Sequence, residues 1–193
     1  MPCMSRYARS WIPGGTFFFT VVTGSRERLF VQARCRRWLK EAYAAIEAKR
    51  PFDTVAFCLL PDHLHCIWTL PEGDSDYPMW WKLIKERFTR IYLREEMFES
   101  RRNASKERRG ERGVWQRRYW EHMVRDEEDL RRLCDYIHYN PVKHGLVRCA
   151  HEWPYSTLPR YVAQGIYPRE WGCSCCAPTE VFGWMVDNAA ASE

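Results

Sequence analysis

VAFCLLPDHLHCIWTL, Val55–Leu70, decides how this chain is read. Two apolar runs, Val55–Leu60 and His63–Leu70, flank the pair Pro61-Asp62. A proline that fixes φ, beside a side chain that can accept a backbone hydrogen bond, favours chain reversal, so the two runs predict an antiparallel hairpin. Side chains alternate across a strand, which sets Leu64, Cys66, Trp68 and Leu70 on one face and His63 with His65 on the other. The four apolar residues are expected in the core and the two imidazoles on the outward face of the sheet.

The flanking segments extend this pattern. Upstream, Gly14-Gly15 signals a turn, and TFFFTVVT, Thr16–Thr23, is aromatic and β-branched enough to predict a further strand. Gln32 to Arg50 carries Cys35, Trp38, Leu39, Ala42, Ala45 and Ile46 at helical intervals. Downstream, Met79 to about Leu93 predicts a second helix with Trp80, Ile84, Phe88 and Ile91 inward and Lys82, Lys85, Arg87 and Arg90 around the remainder. After a short segment around Trp115, a third helix is expected from Asp126. Asp126 is a good N-cap, and Glu127, Glu128 and Asp129 in the first turn complement the helix dipole. Leu130, Leu133, Cys134 and Ile137 form its apolar stripe, and Pro141 disfavours helical geometry at Asn140, where the helix should end. Strand, helix, hairpin, helix, helix is an α+β order, in which helices cover one face of an antiparallel sheet and leave the other available.

At 193 residues and 46% hydrophobic content, the chain is of a size to form one core. One domain is expected over residues 1–171, with a charged insertion at about 99–113 (ESRRNASKERRGERG) and a cysteine-containing tail at 172–193. No apolar run approaches the roughly eighteen residues that a membrane span needs, and no signal-peptide stretch follows the basic N-terminus, so a cytoplasmic protein is expected. The net charge is +5, with Lys and Arg grouped, and aromatic content is 15%. Grouped cations suit a polyanion, and exposed rings suit base stacking, although most rings will be core. The nine cysteines are an odd number scattered through apolar segments, which predicts reduced thiols, with Cys58, Cys66 and Cys134 as core fillers. Cys173 and Cys176 have the spacing of half a zinc site, but no matching second pair follows, so a surface loop is the favoured reading there.

The chemistry gathers at two places, His63-Leu64-His65 and DYIHYNPVKHG, residues 135–145. A His-x-His pair on one strand face can chelate a divalent ion, yet alone it more often marks hydrogen-bonded side chains. Tyr136 and Asn140 lie only about 40° apart around a helix. An amide oxygen from Asn140 would complete a mixed nitrogen and oxygen set compatible with Mg²⁺ or Mn²⁺ and a substrate phosphate, with zinc also admissible. Tyr136 is the preferred hydroxyl nucleophile over Tyr139, which points roughly 100° away from Asn140.

LPDHLHCIWTLPEGD, then WQRRYWEH, then DYIHYNPVKHG, in that order, resemble the REP-associated tyrosine transposases. The resemblance runs from GGTFFFTV through WPYS to GIYPREWG, nearly the whole chain. It implies the ferredoxin-like antiparallel sheet of the HUH single-strand nucleases, with the active site formed by a helix from the C-terminal half. It implies cleavage and rejoining of single-stranded DNA at repetitive extragenic palindromic hairpins, through a 5′-phosphotyrosine and a free 3′-hydroxyl. In this likeness His63 and His65 match the metal-binding pair, Tyr136 the nucleophile and Asn140 the third ligand. Arg6, Arg9, Lys82, Lys85, Arg117, Arg118 and Lys143 are candidate DNA contacts on charge and position. A monomer is expected, and a tail beyond about Trp171 that covers the site would be autoinhibitory. The insertion is longer than the family pattern requires, and the pattern does not account for the cysteine-rich tail. The same residues also fit a noncatalytic hairpin-binding module or a mobile insertion-sequence transposase.

Overall fold

The computed structural model describes residues 12–96, 107–108, 110 and 112–174. Arg6, Arg9, most of the charged insertion and the tail beyond 174 fall outside them. Four antiparallel strands, β1 (Thr16–Val22), β2 (Asp53–Leu59), β3 (His63–Thr69) and β4 (Trp120–Met123), form one sheet in the order β2-β3-β1-β4. The helices are α1 (Ala33–Glu47), α2 (Tyr77–Glu96), α3 (Glu127–Lys143) and a short α4 (Leu158–Ala163). No helix among the described residues is long and apolar enough to cross a membrane. The expected hairpin is present, with Leu59 opposite Leu64 and Leu60 N–H donating to the His63 carbonyl.

The α+β class and the antiparallel sheet agree with the sequence. One sheet face carries Phe17, Phe19, Val21, Leu64, Cys66 and Trp68, which pack with the apolar stripes of α1 and α2. Rings dominate that layer: Trp68 stacks on Trp81 with centroids 4.3 Å apart and lies 4.1 Å from Phe52. The indole N–H of Trp68 donates to the Tyr43 hydroxyl, so this deep ring keeps a polar partner.

The opposite face differs from the expectation of an open surface. α3 lies across it, and Leu133, Cys134 and Ile137 close over Phe18, Ala56, Cys58, Leu60 and Ile67. His63 and His65 are therefore buried, at 5% and 3% exposure, rather than facing solvent. The cause lies in the residues next along that face: Phe18 and Ile67, paired beside Thr20 and His65, are too apolar to leave wet, and α3 supplies the matching stripe.

Two further details depart from the sequence reading. β4 was not anticipated, because a four-residue edge strand of mixed polarity has no alternation long enough to read. It is set in place by the segment before it: Gln116 N–H donates to the Val22 carbonyl and Gly24 N–H to the Val114 carbonyl. A Cβ on Gly24 would collide with the Gly113 carbonyl, so this approach needs glycine. Second, α3 runs past Pro141 to Lys143. Proline there forfeits one backbone bond, while His144 N–H to Asn140 and Leu146 N–H to Pro141 hold the last turn at 2.9 Å each.

His138, on the buried side of α3, shares a 2.9 Å hydrogen bond between Nε2 and Thr157 Oγ1. Burial, with help from Arg160, pushes its pKa from 6.5 down to about 3. The unfolded chain therefore binds more protons than the folded one between these values, so this contribution is complete above pH 6.5 and is lost as pH falls toward 3. Between pH 7 and pH 5, His138 alone should remove roughly 2 kcal/mol of stability. Urea unfolding at both values checks this: His138→Gln should have a shallower pH dependence, and an unchanged slope would show that His138 titrates normally.

Candidate functional site

The site is assembled on the sheet face that α3 covers. β1 and β3 pair with Thr20 opposite His65 and Val22 opposite His63, so these side chains share one face. The two imidazoles meet edge to face, with centroids 4.9 Å apart. Tyr136 on α3 approaches His65 at 5.2 Å and Phe18 at 5.9 Å between centroids. One turn later Asn140 is wholly buried, its amide Nδ2 donating to the Tyr136 carbonyl at 3.2 Å. The extra turn of α3 beyond Pro141 carries Lys143 over the Tyr136 ring, 5.2 Å from its centroid. His144 brings a third imidazole 5.2 Å from His63.

Hydrogen bonds decide which atoms face the centre of this cluster. Asp62 Oδ1 lies 2.6 Å from His63 Nδ1. A carboxylate only accepts, so Nδ1 carries the proton, which in the neutral ring leaves the lone pair on Nε2. Burial opposes charge on Asp62, but the hydrogen bond from His63 and the nearby Arg26 guanidinium outweigh it and hold the carboxyl below its ordinary range. For His65, Nδ1 shares a 2.9 Å hydrogen bond with Thr20 Oγ1. Its Nε2 is buried without a hydrogen-bond partner, and so is Oδ1 of Asn140. Burial first, then the neighbouring His63, His144 and Lys143, drive the His65 pKa well below 6.5, while the nearby Asn140 amide opposes that fall. His65 is consequently neutral at physiological pH, the form that can ligate a metal.

With Nδ1–H donating to Thr20 Oγ1, His65 Nε2 and Asn140 Oδ1 are two buried acceptors without partners, which is costly unless something satisfies them. Here one is an imidazole nitrogen and the other an amide oxygen, beside a second imidazole with a carboxylate behind it. That donor set suits a divalent cation, so the residues fit such an ion.

The remaining sequence candidates divide. Tyr139 is absent from this cluster: it packs with Val142, Ala150 and Leu158 in a separate apolar group. Lys82 and Lys85 ride on α2, behind the other sheet face. Lys82 pairs with Glu86 at 3.8 Å, and Lys85 Nζ donates to the Gln116 carbonyl at 3.0 Å. Arg117 and Arg118 are exposed just before β4. Residues the sequence reading did not single out as parts of the site are Asp62, Thr20 and Trp120. Asp62 was read only as a turn former, although its place directly before His63 was a usable signal. Thr20 becomes visible only through strand register. Trp120, opposite Thr20 and 43% exposed, stands edge-on to Phe18 at 5.3 Å and stacks on His122 at 5.8 Å.

The cysteines require a correction. Cys35, Cys58, Cys66 and Cys134 are free and buried as expected, but Cys149 and Cys173 form a disulfide. An isolated antiparallel bridge sets these two residues opposite each other despite a separation of 24 residues, a proximity that spacing could not reveal.

A family model described as "Transposase IS200 like" matches residues 16–140, from the first residue of β1 to Asn140. A Haemophilus influenzae protein described as a REP-associated tyrosine transposase is 43% identical over 169 residues, covering 88% of this chain and 94% of its own. The Escherichia coli K12 REP-associated tyrosine transposase is 41% identical over 168 residues, covering 87% and 91%. A solved structure of a REP-associated tyrosine transposase bound to a REP hairpin aligns with TM-score 0.70 and 41% identity, over 87% of this chain and 91% of that one.

Proposed function

Since this chain belongs to the IS200-like transposases, and within them to the REP-associated tyrosine transposases, we propose that it cleaves and rejoins single-stranded DNA at REP-type hairpins through a covalent tyrosine intermediate. Tyr136 is the nucleophile in this scheme, and His63, His65 and Asn140 hold a divalent cation, Mg²⁺ or Mn²⁺. The observation that carries it is the convergence of Tyr136 with two imidazoles and a carboxamide, two of whose acceptors lack hydrogen-bond partners.

Each residue then has a task. Tyr136 Oη attacks phosphorus and gives up its proton. The bond from phosphorus to the 3′ oxygen breaks, and that oxygen takes up a proton to leave as a 3′-hydroxyl. The phosphate stays on the tyrosine as a 5′ ester, so attack by a 3′-hydroxyl rejoins a strand without outside energy. Lys143, against the Tyr136 ring, stabilises negative charge that gathers near the phenol oxygen as its proton leaves. A bound divalent cation would supply neutralisation of the nonbridging phosphate oxygens. Asp62 and Thr20 fix the imidazole rings through Nδ1.

Incubating the protein with 5′-labelled and 3′-labelled REP hairpins and Mg²⁺ or Mn²⁺ tests the scheme. A denaturation-resistant adduct should form with the 3′-labelled strand alone. Cleavage without an adduct, or an adduct formed equally well in chelator, would overturn it. Asp62→Asn should lower activity by about 10–100-fold, recoverable in part at higher metal concentration, because it orients a ligand without being one. A purely structural Asp62 would leave the metal dependence unmoved.

Trp120 offers an exposed ring beside Phe18, which itself touches Tyr136. Stacking of a flanking base there is worth about 1–3 kcal/mol. Trp120→Ala should therefore weaken hairpin binding by roughly 5- to 150-fold in a titration, and unchanged affinity would remove Trp120 from the DNA surface.

A further inference from the structure

Cys173 opens the run Cys173-Ser174-Cys175-Cys176, and the fold brings two further potential ligands to it. Cys149 and His151, a Cys-x-His pair on the other side of the isolated bridge, meet Cys173. The two sulfurs and a ring nitrogen of His151 all lie within 4.8 Å of one another. Around a tetrahedral zinc, with bonds of about 2.0–2.3 Å, neighbouring ligand atoms stand roughly 3.3–3.8 Å apart, a spacing the two sulfurs can take once the disulfide is opened. His151 Nδ1 is buried with no hydrogen-bond partner, so the ring that meets the two sulfurs carries an unsatisfied nitrogen.

The backbone already holds these groups in place. Glu152 accepts from the N–H groups of Arg148 and Cys149 at 3.0 Å each, closing the turn that carries Cys149 and His151. Ser174 N–H donates to the Arg148 carbonyl at 2.8 Å, which fixes the partner segment alongside. A motif needing three ligands from two distant segments is thus assembled by ordinary main-chain contacts. Such prior ordering reduces the entropy that a metal must overcome.

We infer that Cys149, His151 and Cys173 form a zinc site separate from the histidine and tyrosine cluster. The disulfide and the metal site are exclusive states of the same two sulfurs. A thiol or phosphine reductant delivers two electrons and opens the S–S bond to two thiols, and Zn²⁺ then displaces their two protons. Water can take the fourth position beside these three ligands. The clamp joins the turn after α3 to the segment at Gly172, where a Cβ would lie 3.1 Å from Ala150 and 3.4 Å from Tyr139. It therefore ties the beginning of the C-terminal segment to the helix that carries Tyr136.

The test uses full-length protein, reduced with phosphine and loaded with Zn²⁺ or Co²⁺ alone. At least one tightly held zinc per chain is expected, and cobalt should give the near-ultraviolet thiolate charge-transfer band that an imidazole and carboxamide site lacks. Cys149→Ser, Cys173→Ser and His151→Ala should each lower zinc affinity at least about tenfold, the scale at which losing a metal-orienting group is felt. His151→Cys keeps a ligand and should retain the metal, which separates loss of coordination from loss of folding. The double variant His63→Ala with His65→Ala should keep both the zinc and the cobalt band, so failure of the catalytic proposal would not be mistaken for failure of this one. No thiolate band in the reduced protein, or zinc lost with His63 and His65 but kept without Cys149, would overturn the site.

Discussion

Tyr136→Phe should abolish the covalent DNA adduct and reduce cleavage to background, while Tyr139→Phe should keep forming the adduct. Both substitutions remove one oxygen from rings three residues apart on α3, so the contrast isolates position. Tyr136 lies 5.2 Å from His65, beneath Lys143. Tyr139 belongs to the apolar group around Val142, Ala150 and Leu158, and its ring lies against Gly172. Deleting a nucleophile's attacking atom removes the covalent route altogether, so the expected loss is larger than for any supporting residue. Hairpin binding by Tyr136→Phe should remain within a few-fold of the parent, since the ring, its contact with Phe18 and its charge environment are kept. Gel analysis of denatured adduct and a parallel binding titration check this, and an adduct that persists in Tyr136→Phe but disappears in Tyr139→Phe would reverse the assignment.

Divalent metal should stabilise the parent chain strongly and a His65→Leu chain not at all. His65 Nε2 and Asn140 Oδ1 are buried without hydrogen-bond partners, and each such group costs on the order of 1–3 kcal/mol. An ion that satisfies both binds the folded state alone. At a concentration a hundred times its Kd it adds about 2.7 kcal/mol. For a chain of this size that corresponds to a rise in Tm of roughly 5–10 °C. In His65→Leu one of the two unsatisfied atoms is gone and an apolar side chain of similar bulk takes its place on a face lined by Phe18 and Ile67. Loss of the Thr20 hydrogen bond offsets this gain, so the metal-free variant should lie within about 1 kcal/mol of the metal-free parent, although its cleavage is lost. Thermal scans with Mn²⁺, Mg²⁺ and chelator decide this. A parent Tm that ignores metal, or a His65→Leu chain that still responds to it, would contradict the ligand set.

Much of the site was legible because it rests on local periodicities. Alternation on β3 put His63 and His65 together, and the 100° step of a helix put Tyr136 beside Asn140. The choice of Tyr136 over Tyr139 followed from the same step, and the two rings do point into different surroundings. Pro141 misled because a proline limits a helix only when neighbouring contacts do not support another turn. That added turn is what sets Lys143 over Tyr136. β4 and Trp120 were missed because an edge strand of four residues carries too little pattern, and because its place beside β1 comes from main-chain bonds around Gln116 and Gly24.

The amino-acid sequence by itself determined which residues alternate on strands, which stripe each helix buries, and which imidazoles, phenol and carboxamide are available for chemistry. The tertiary structure alone decided that α3 closes over the histidine face, that Thr20 and Asp62 orient the rings, and that Cys149 and His151 meet Cys173 across 24 residues. Periodicity is written between near neighbours in the chain. Which faces meet depends instead on strand order and long-range burial, to which every segment contributes at once.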